Sequence, residues 1–339
     1  MNSDSPAAVP HGGATNISAV HPDIIQTHIF TRLDGPTIAS AACASSHLHA
    51  ISADEKLWRD ICHHTWPSTA EDLVHRLIST FPAAHRSFYY DSFPTLHHRR
   101  PNNRRRHRQG PPPTSELISA VDIRYQDRLV ISKTHETETV SGWFKCSPFR
   151  VDLLDPKETV PSPAKFQGGE DACQSDLEEN LTLSWILIDP TRKRAANFSS
   201  LRPVSVTRHW LSGDFQVRFA TILAGDRRDE FVQCGAVVTC DGKEGGELQV
   251  KEVSLLMEDM DGKNLNGKDS LVILQEAMEG GERRKKRGEE RERYQDYLKK
   301  KRERFEGKVR REKRLDMVCI VSGVTIFLAW TYVFLRGYS

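Results

Sequence analysis

Apolar residues fall along this chain in three regimes. Across residues 20–62 they recur at helical spacing: Ile25, Ile29 and Leu33 with Ile24 beside them, then Leu48, Ile51, Leu57, Trp58, Ile61 and Cys62. Across residues 116–257 they alternate with polar positions. Examples are Val121, Ile123 and Tyr125; Leu181, Leu183, Trp185 and Leu187; and Phe215, Val217 and Phe219. Across residues 317–335 no charge interrupts them. Period 3.6 marks amphipathic helices, period 2 marks strands with one buried face, and a long uncharged run marks a membrane span. The predicted fold class is α+β multidomain: a small three-helix unit, an antiparallel β-sandwich-like domain, a charged helix and one transmembrane helix.

The first unit carries its own punctuation. Pro22 suits a first helical turn, where its missing N–H would have no partner anyway, and Asp23 favours the positive end of the helix dipole. Asp34-Gly35-Pro36 breaks the pattern, and Pro36 opens a second helix of small residues: Ala39, Ala41, Ala42, Cys43 and Ala44. A third periodic run ends at Cys62. A unit of roughly 40 residues has little core of its own, so it is expected to lean on a partner or on the rest of the chain. Residues 67–95 extend it with two short helices. The first is capped from Ser68 or Thr69 and turns Leu73, Leu77 and Ile78 inward. The aromatics Phe81, Phe88, Tyr89, Tyr90 and Phe93 enlarge the core.

The alternating region, residues 116–279, has strand-like runs separated by Gly, Asp and Pro turns, the pattern of an antiparallel sandwich or barrel. Residues 142–144 are among those runs. Residues 155–180, rich in Pro, Gly and acid, are expected to be a disordered loop. Leu271, Leu274, Ala277 and Met278 mark an amphipathic helix that closes the domain. Trp143, Trp185 and Trp210 offer a sugar-stacking face or sandwich core, and core is the expectation. Residues 258–264 lack the full ligand set of a calcium loop. No phosphate-binding glycine loop or nucleophile elbow is present, so no catalytic residue is assigned and the protein is expected not to be an enzyme.

Residues 280–315 hold roughly twice as many Lys and Arg as Asp and Glu, with too thin an apolar seam for a coiled coil. They are expected to form a solvated stalk helix. A transmembrane helix is expected over residues 316–335, and its uncharged part, residues 317–335, reaches about 28 Å at about 1.5 Å per residue. Trp330 and Tyr332 lie toward its far end, and the basic cluster at residues 308–314 precedes it. By the positive-inside rule the N-terminal bulk stays cytosolic, giving a single-pass, tail-anchored arrangement.

Composition adds little except in how charge is distributed. The formal net charge of the 339 residues is +2, which argues for no class of partner. The seven cysteines are scattered without a CxxC pair, which fits a reducing compartment and excludes a disulfide framework. His63-His64 and His97-His98 are adjacent pairs, not the i, i+4 spacing that puts two imidazoles on one helix face. The fourteen histidines are therefore expected at the surface, with no metal and no cofactor. Residues 1–19 are polar and expected to be disordered. The basic and Pro-rich residues 96–115 are a solvated linker, and no nucleic-acid partner is expected.

The order Pro22-Asp23, Ile29-Phe30-x-Arg32-Leu33-Asp34, a small-residue helix, Leu48-His49-Ala50-Ile51-Ser52 and Leu57-Trp58-Arg59-Asp60-Ile61-Cys62 resembles an F-box over residues 20–66. The Phe81-Pro82 and His85-Arg86-Ser87-Phe88 pattern is also similar to plant F-box proteins with a β-rich C-terminal region. The order Trp185-Ile186-x-x-Asp189-Pro190-Thr191 resembles the phloem-lectin-type F-box proteins. The F-box resemblance implies a Skp-type adaptor and, through it, a cullin–RING ubiquitin ligase. Carried across by position, the adaptor-facing residues are Pro22, Ile24, Ile29, Leu33, Ala44 and Leu48, and Ile25 and Trp58 are core. His21 stands where the family usually has Leu, and Ala44 and Leu48 where Val and Trp are common; both changes trim apolar area. The implied role is a substrate receptor whose β-rich domain selects a protein or glycoprotein target. The alternative is a membrane-anchored lectin-like or scaffold protein with a vestigial F-box.

Overall fold

The computed structural model describes residue 17 and residues 20–94, 96–97, 114–225, 230–283 and 289–337. The expectations for residues 1–19 and for the linker lie almost wholly outside the described residues. The first helical segment begins as α1 (Pro22–Ile24), widens into a π turn over Ile25–Ile29 and tightens into a 3-10 turn over Phe30–Arg32. The Asp34 carboxylate accepts from the Thr37 amide and starts α2 (Gly35–Ala44). Ser45 caps α3 (Ser46–Ile51) in the same way, and Asp54 caps α4 (Glu55–Thr65). Local side-chain caps satisfy the orphan amides, so the single third run expected from periodicity becomes two helices. After these come α5 (Asp72–Ser79) and α6 (Ala84–Ser92).

Ile25, Ile38, Trp58, Trp66, Val74, Ile78 and Phe88 form the centre of this helical core. Val74 takes the inward place expected for Leu73 and Leu77, which are half-buried. Gly35 is required at its position, since a Cβ there would meet the Tyr89 ring at 2.3 Å.

Next in order are β1 (Leu96–His97), β2 (Glu116–Tyr125), β3 (Arg128–Glu138), α7 (Gly142–Cys146), β4 (Arg150–Asp152), β5 (Val160–Lys165), α8 (Glu170–Asn180), β6 (Leu181–Asp189) and β7 (Arg194–Asn197). They are followed by β8 (Ser205–Arg208), β9 (Phe215–Ala224), β10 (Phe231–Asp241), β11 (Glu247–Asp259), α9 (Gly267–Gly280), β12 (Glu282–Arg283) and α10 (Glu289–Gly337). One sheet has the order β3-β2-β6-β7. The other runs β8-β9-β10-β11-β4, with β5 also on β11. Each paired neighbour is antiparallel. β2 and β3 turn through Gln126 and Asp127, both at positive φ, the handedness a tight hairpin needs. Leu117, Val121, Ile123, Leu183, Trp185 and Leu187 meet Phe215, Val217, Phe219, Val238 and Leu255 between the sheets.

Two expectations are corrected here. Residues 155–180 contain β5 and α8, and α8 packs Cys173 and Leu177 into the sandwich core. Residues 142–144 lie in α7, because the Ser141 hydroxyl caps the Phe144 amide and closes a helical turn.

The helical unit leans on the rest of the chain, as its size required. Ile118 and Ala120 of β2, Ile186 and Ile188 of β6 and Ala195 of β7 belong to the helical core. β2, β6 and β7 are thus buried on both faces, while β3 at the edge is largely not. Ser68 joins the two layers: its amide donates to Asp122 Oδ1 at 3.0 Å and its hydroxyl to Oδ2 at 2.6 Å. That contact also explains why Ser68 does not cap α5.

Burial raises the Asp122 carboxyl above its ordinary value, with the Ser68 and Ser132 hydrogen bonds opposing the shift. A carboxyl raised in the folded state binds its proton more tightly than in the unfolded chain. Its contribution to stability is therefore complete below about pH 3.9, the unfolded value, and is lost as pH rises through the folded value. Asp122→Asn is expected to remove this component from the pH dependence of urea unfolding.

α10 is one continuous helix of 49 residues. Its first turns are not solvated, which corrects the stalk expectation. Tyr294 and Tyr297 are buried with Val204, Ala220, Ile222 and Met260 on the outer side of the second sheet. Tyr297 Oη donates to the Asp259 carbonyl at 3.1 Å. Lys301 pairs with Glu258, and Asp261 pairs with Arg304 at 3.0 Å and Lys308 at 2.8 Å. The acidic turn at residues 258–264 is therefore a docking point for the stalk. By length and composition α10 can cross a membrane, and the apolar window that gives it this capacity has no residue buried against the protein.

Candidate adaptor-binding face

The segment at residues 22–33 is apolar on two sides. Ile25 and Phe30 point into the helical core at 0% and 2% exposure, while Ile24 and Ile29 remain 48% and 36% exposed. The π turn explains the pairing. The Phe30 amide reaches back to the Ile25 carbonyl, five residues away, and a turn this wide brings positions 24 and 29 toward one side. Pro22 is exposed at the start of the segment and Leu33 is half-buried at its end. Ala44 is exposed at the last turn of α2.

Leu48 is placed differently. It is 6% exposed and packs in the helical core, so it supports the face from beneath and is not presented with the others. Ile25 and Trp58 are fully buried. His21 supplies a cap: its Nδ1 accepts from the Asp23 amide at 3.3 Å. The Gln26 side chain donates to Asp54, tying the segment to the start of α4.

Trp185 is core, its indole donating to Ser119 Oγ at 3.2 Å. Trp143 and Trp210 are 83% and 88% exposed, which corrects the expectation that all three fill the core. Asp189, from the lectin-like pattern, is wholly buried and accepts from Thr114, Gln275 and the Arg192 amide. Its place is explained by architecture alone. Asn197 is buried and accepts from the Trp185 and Ser199 amides.

The expectation of surface histidines fails at one place. His63, His75 and His85, on α4, α5 and α6, converge, and His85 is 1% exposed. The three are 12 and 10 residues apart in sequence, a spacing that belongs to no metal motif.

Residues 22–64 match the F-box-like family. The chain belongs to the F-box proteins. It is 45% identical over 338 residues to F-box protein At2g27310 of Arabidopsis thaliana, covering 95% of this chain and 97% of that one. It is 46% identical over 340 residues to F-box protein At3g44326 of the same plant, covering 96% and 93%. It is 45% identical over 317 residues to the probable F-box protein At2g36090, covering 92% and 91%. No solved structure matches the chain. F-box domains generally bind Skp-type adaptors of cullin–RING ligases, and F-box proteins generally serve those ligases as non-catalytic substrate receptors.

Proposed function

We propose that this chain is the substrate receptor of a Skp–cullin–F-box ubiquitin ligase, docking its adaptor through Pro22, Ile24, Ile29, Leu33 and Ala44, with Leu48 beneath. The observation that carries this reading is the exposure of Ile24 and Ile29 on a segment whose opposite side is fully buried, inside the F-box-like residues. Exposed aliphatic side chains on an ordered backbone contribute affinity without the cost of ordering that backbone. The β-sandwich selects the protein or glycoprotein target. The receptor makes no bond itself; holding the target beside the ligase turns a bimolecular step into a nearly unimolecular one.

The apolar end of α10, residues 316–335, holds the protein in a membrane with its bulk in the cytosol. The basic residues of the preceding turns favour that orientation and attract an anionic surface. In membrane vesicles carrying the protein with its bulk outward, added protease is expected to digest the sandwich and spare the C-terminal segment. Release of the intact chain by high salt would contradict a spanning segment.

Ile29→Asp with Leu33→Asp puts two charges at the proposed contact, one at an exposed position and one at a half-buried position against the helical core, so folding of the variant is checked alongside. Purified wild type is expected to retain the adaptor on a pull-down and the double variant to lose it, with unchanged circular dichroism. A folded wild type that retains no adaptor would favour the second reading, a membrane-anchored scaffold or lectin-like protein with a vestigial F-box. The burial of Leu48 and the exposed Trp143 and Trp210 favour that reading.

A further inference from the structure

We propose that His63, His75 and His85 form a zinc-binding site that pins α4 to α5 and α6. The three side chains each bring a nitrogen within 4.8 Å of the other two. On each ring one buried nitrogen makes no hydrogen bond among the described residues: Nε2 of His63, Nδ1 of His75 and Nε2 of His85. Buried polar atoms are nearly always paired, so three unpaired nitrogens on three converging rings point to a shared partner. The rings meet at centroid distances of 5.2–5.7 Å. Nitrogens around tetrahedral zinc, at about 2.0–2.1 Å from the metal, lie roughly 3.4 Å apart. Ring movements of about an ångström close the site.

A second observation fixes one ligand. Glu55 hydrogen-bonds His85 Nδ1, which puts the proton there and leaves the Nε2 lone pair pointing into the cluster. A carboxylate behind a histidine is the usual way a protein orients a metal-bound imidazole. Neutral imidazoles are the form that binds metal. An all-imidazole donor set suits a borderline-soft divalent ion, and zinc imposes no geometry that three rings and one water cannot meet. α4 is the last helix of the matched F-box, and α6 packs on β7 of the first sheet. The ion would thus brace the adaptor-binding helices against the layer that carries the sandwich.

The test uses the full-length chain in detergent micelles, stripped with a chelator and titrated with zinc sulfate. One zinc per chain and a raised melting temperature are expected. Co(II) in place of zinc is expected to give the intense visible bands of a four-coordinate site. His75→Gln, at a half-exposed ring, is expected to weaken zinc binding at least tenfold and to abolish the cobalt bands. Glu55→Gln, which leaves all three rings in place, is expected to weaken binding about 10–100-fold. His49→Gln, an exposed histidine elsewhere, should change nothing. Failure of wild type to retain zinc, or zinc binding unchanged in both His75→Gln and Glu55→Gln, would overturn the proposal.

Discussion

Trp58→Ala is expected to lower the unfolding free energy by about 3–5 kcal/mol. Trp58 is fully buried, and its indole N–H donates to the Ser52 carbonyl at 2.6 Å. Its ring lies 5.3 Å from Tyr89 and 6.0 Å from Tyr90, so truncation removes contacts to α6. The loss combines the transfer free energy of the indole with the cavity it leaves, and it strands a buried carbonyl. Trp58→Phe keeps most of the apolar volume and is expected to cost less. Urea unfolding followed by circular dichroism measures both. An alanine variant that unfolds like wild type would show that the helical unit is not built around this side chain.

Asp189→Ala is the second large expected loss, also about 3–5 kcal/mol. The carboxylate ends β6 with no exposure. It accepts from Thr114 Oγ1 at 2.7 Å to each oxygen, from Gln275 Nε2 at 2.9 Å and from the Arg192 amide at 3.0 Å. The Arg192 guanidinium, with its side chain 7% exposed, lies 3.6 Å away. Alanine would leave the Thr114 hydroxyl and the Arg192 amide without this acceptor, and would take one of two acceptors from Gln275 Nε2 and one of two carboxylates from the Arg192 guanidinium, which also pairs with Glu279; unpaired buried groups are what make broken buried networks costly. Because Thr114 precedes β2 and Gln275 lies in α9, the same change should loosen the closing helix. Asp189→Asn retains one acceptor oxygen and is expected to lose less. An alanine variant within 1 kcal/mol of wild type, on the same urea unfolding, would contradict this account of the network.

Much of the sandwich was legible because alternation survives wherever one face of a strand is buried. β2, β6 and β9 lie where Val121-Ile123-Tyr125, Leu181-Leu183-Trp185 and Phe215-Val217-Phe219 put them. The docking of the helices on the first sheet was written in the same strands. Ile118 and Ala120, and Ile186 and Ile188, fill the positions between the inward residues, the signature of strands buried on both faces. α8 escaped detection because only Cys173 and Leu177 of its eleven residues are buried, too few to set a period. The stalk was misjudged for a related reason. Two tyrosines a turn apart carry its docking, and the cations beside them look solvated until Glu258 and Asp261 are brought opposite by the β11 turn.

Of the proposed adaptor-facing set, the structure exposes Pro22, Ile24, Ile29 and Ala44, half-buries Leu33 and buries Leu48. Spacing alone does not reveal that the segment from Ile25 to Ile29 opens into a π turn, or that α3 rolls Leu48 inward. The histidine cluster had no sequence signal, because its three members lie on different helices and meet only through packing.

Amide hydrogen exchange of the full-length protein, with and without a saturating Skp-type adaptor, tests the central claim most directly. Added protection is expected across residues 22–48, strongest near Ile24 and Ile29, with β8–β10 and the stalk unchanged. Protection confined to the sandwich, or no protection in a folded protein, would contradict the assignment of this face to the adaptor.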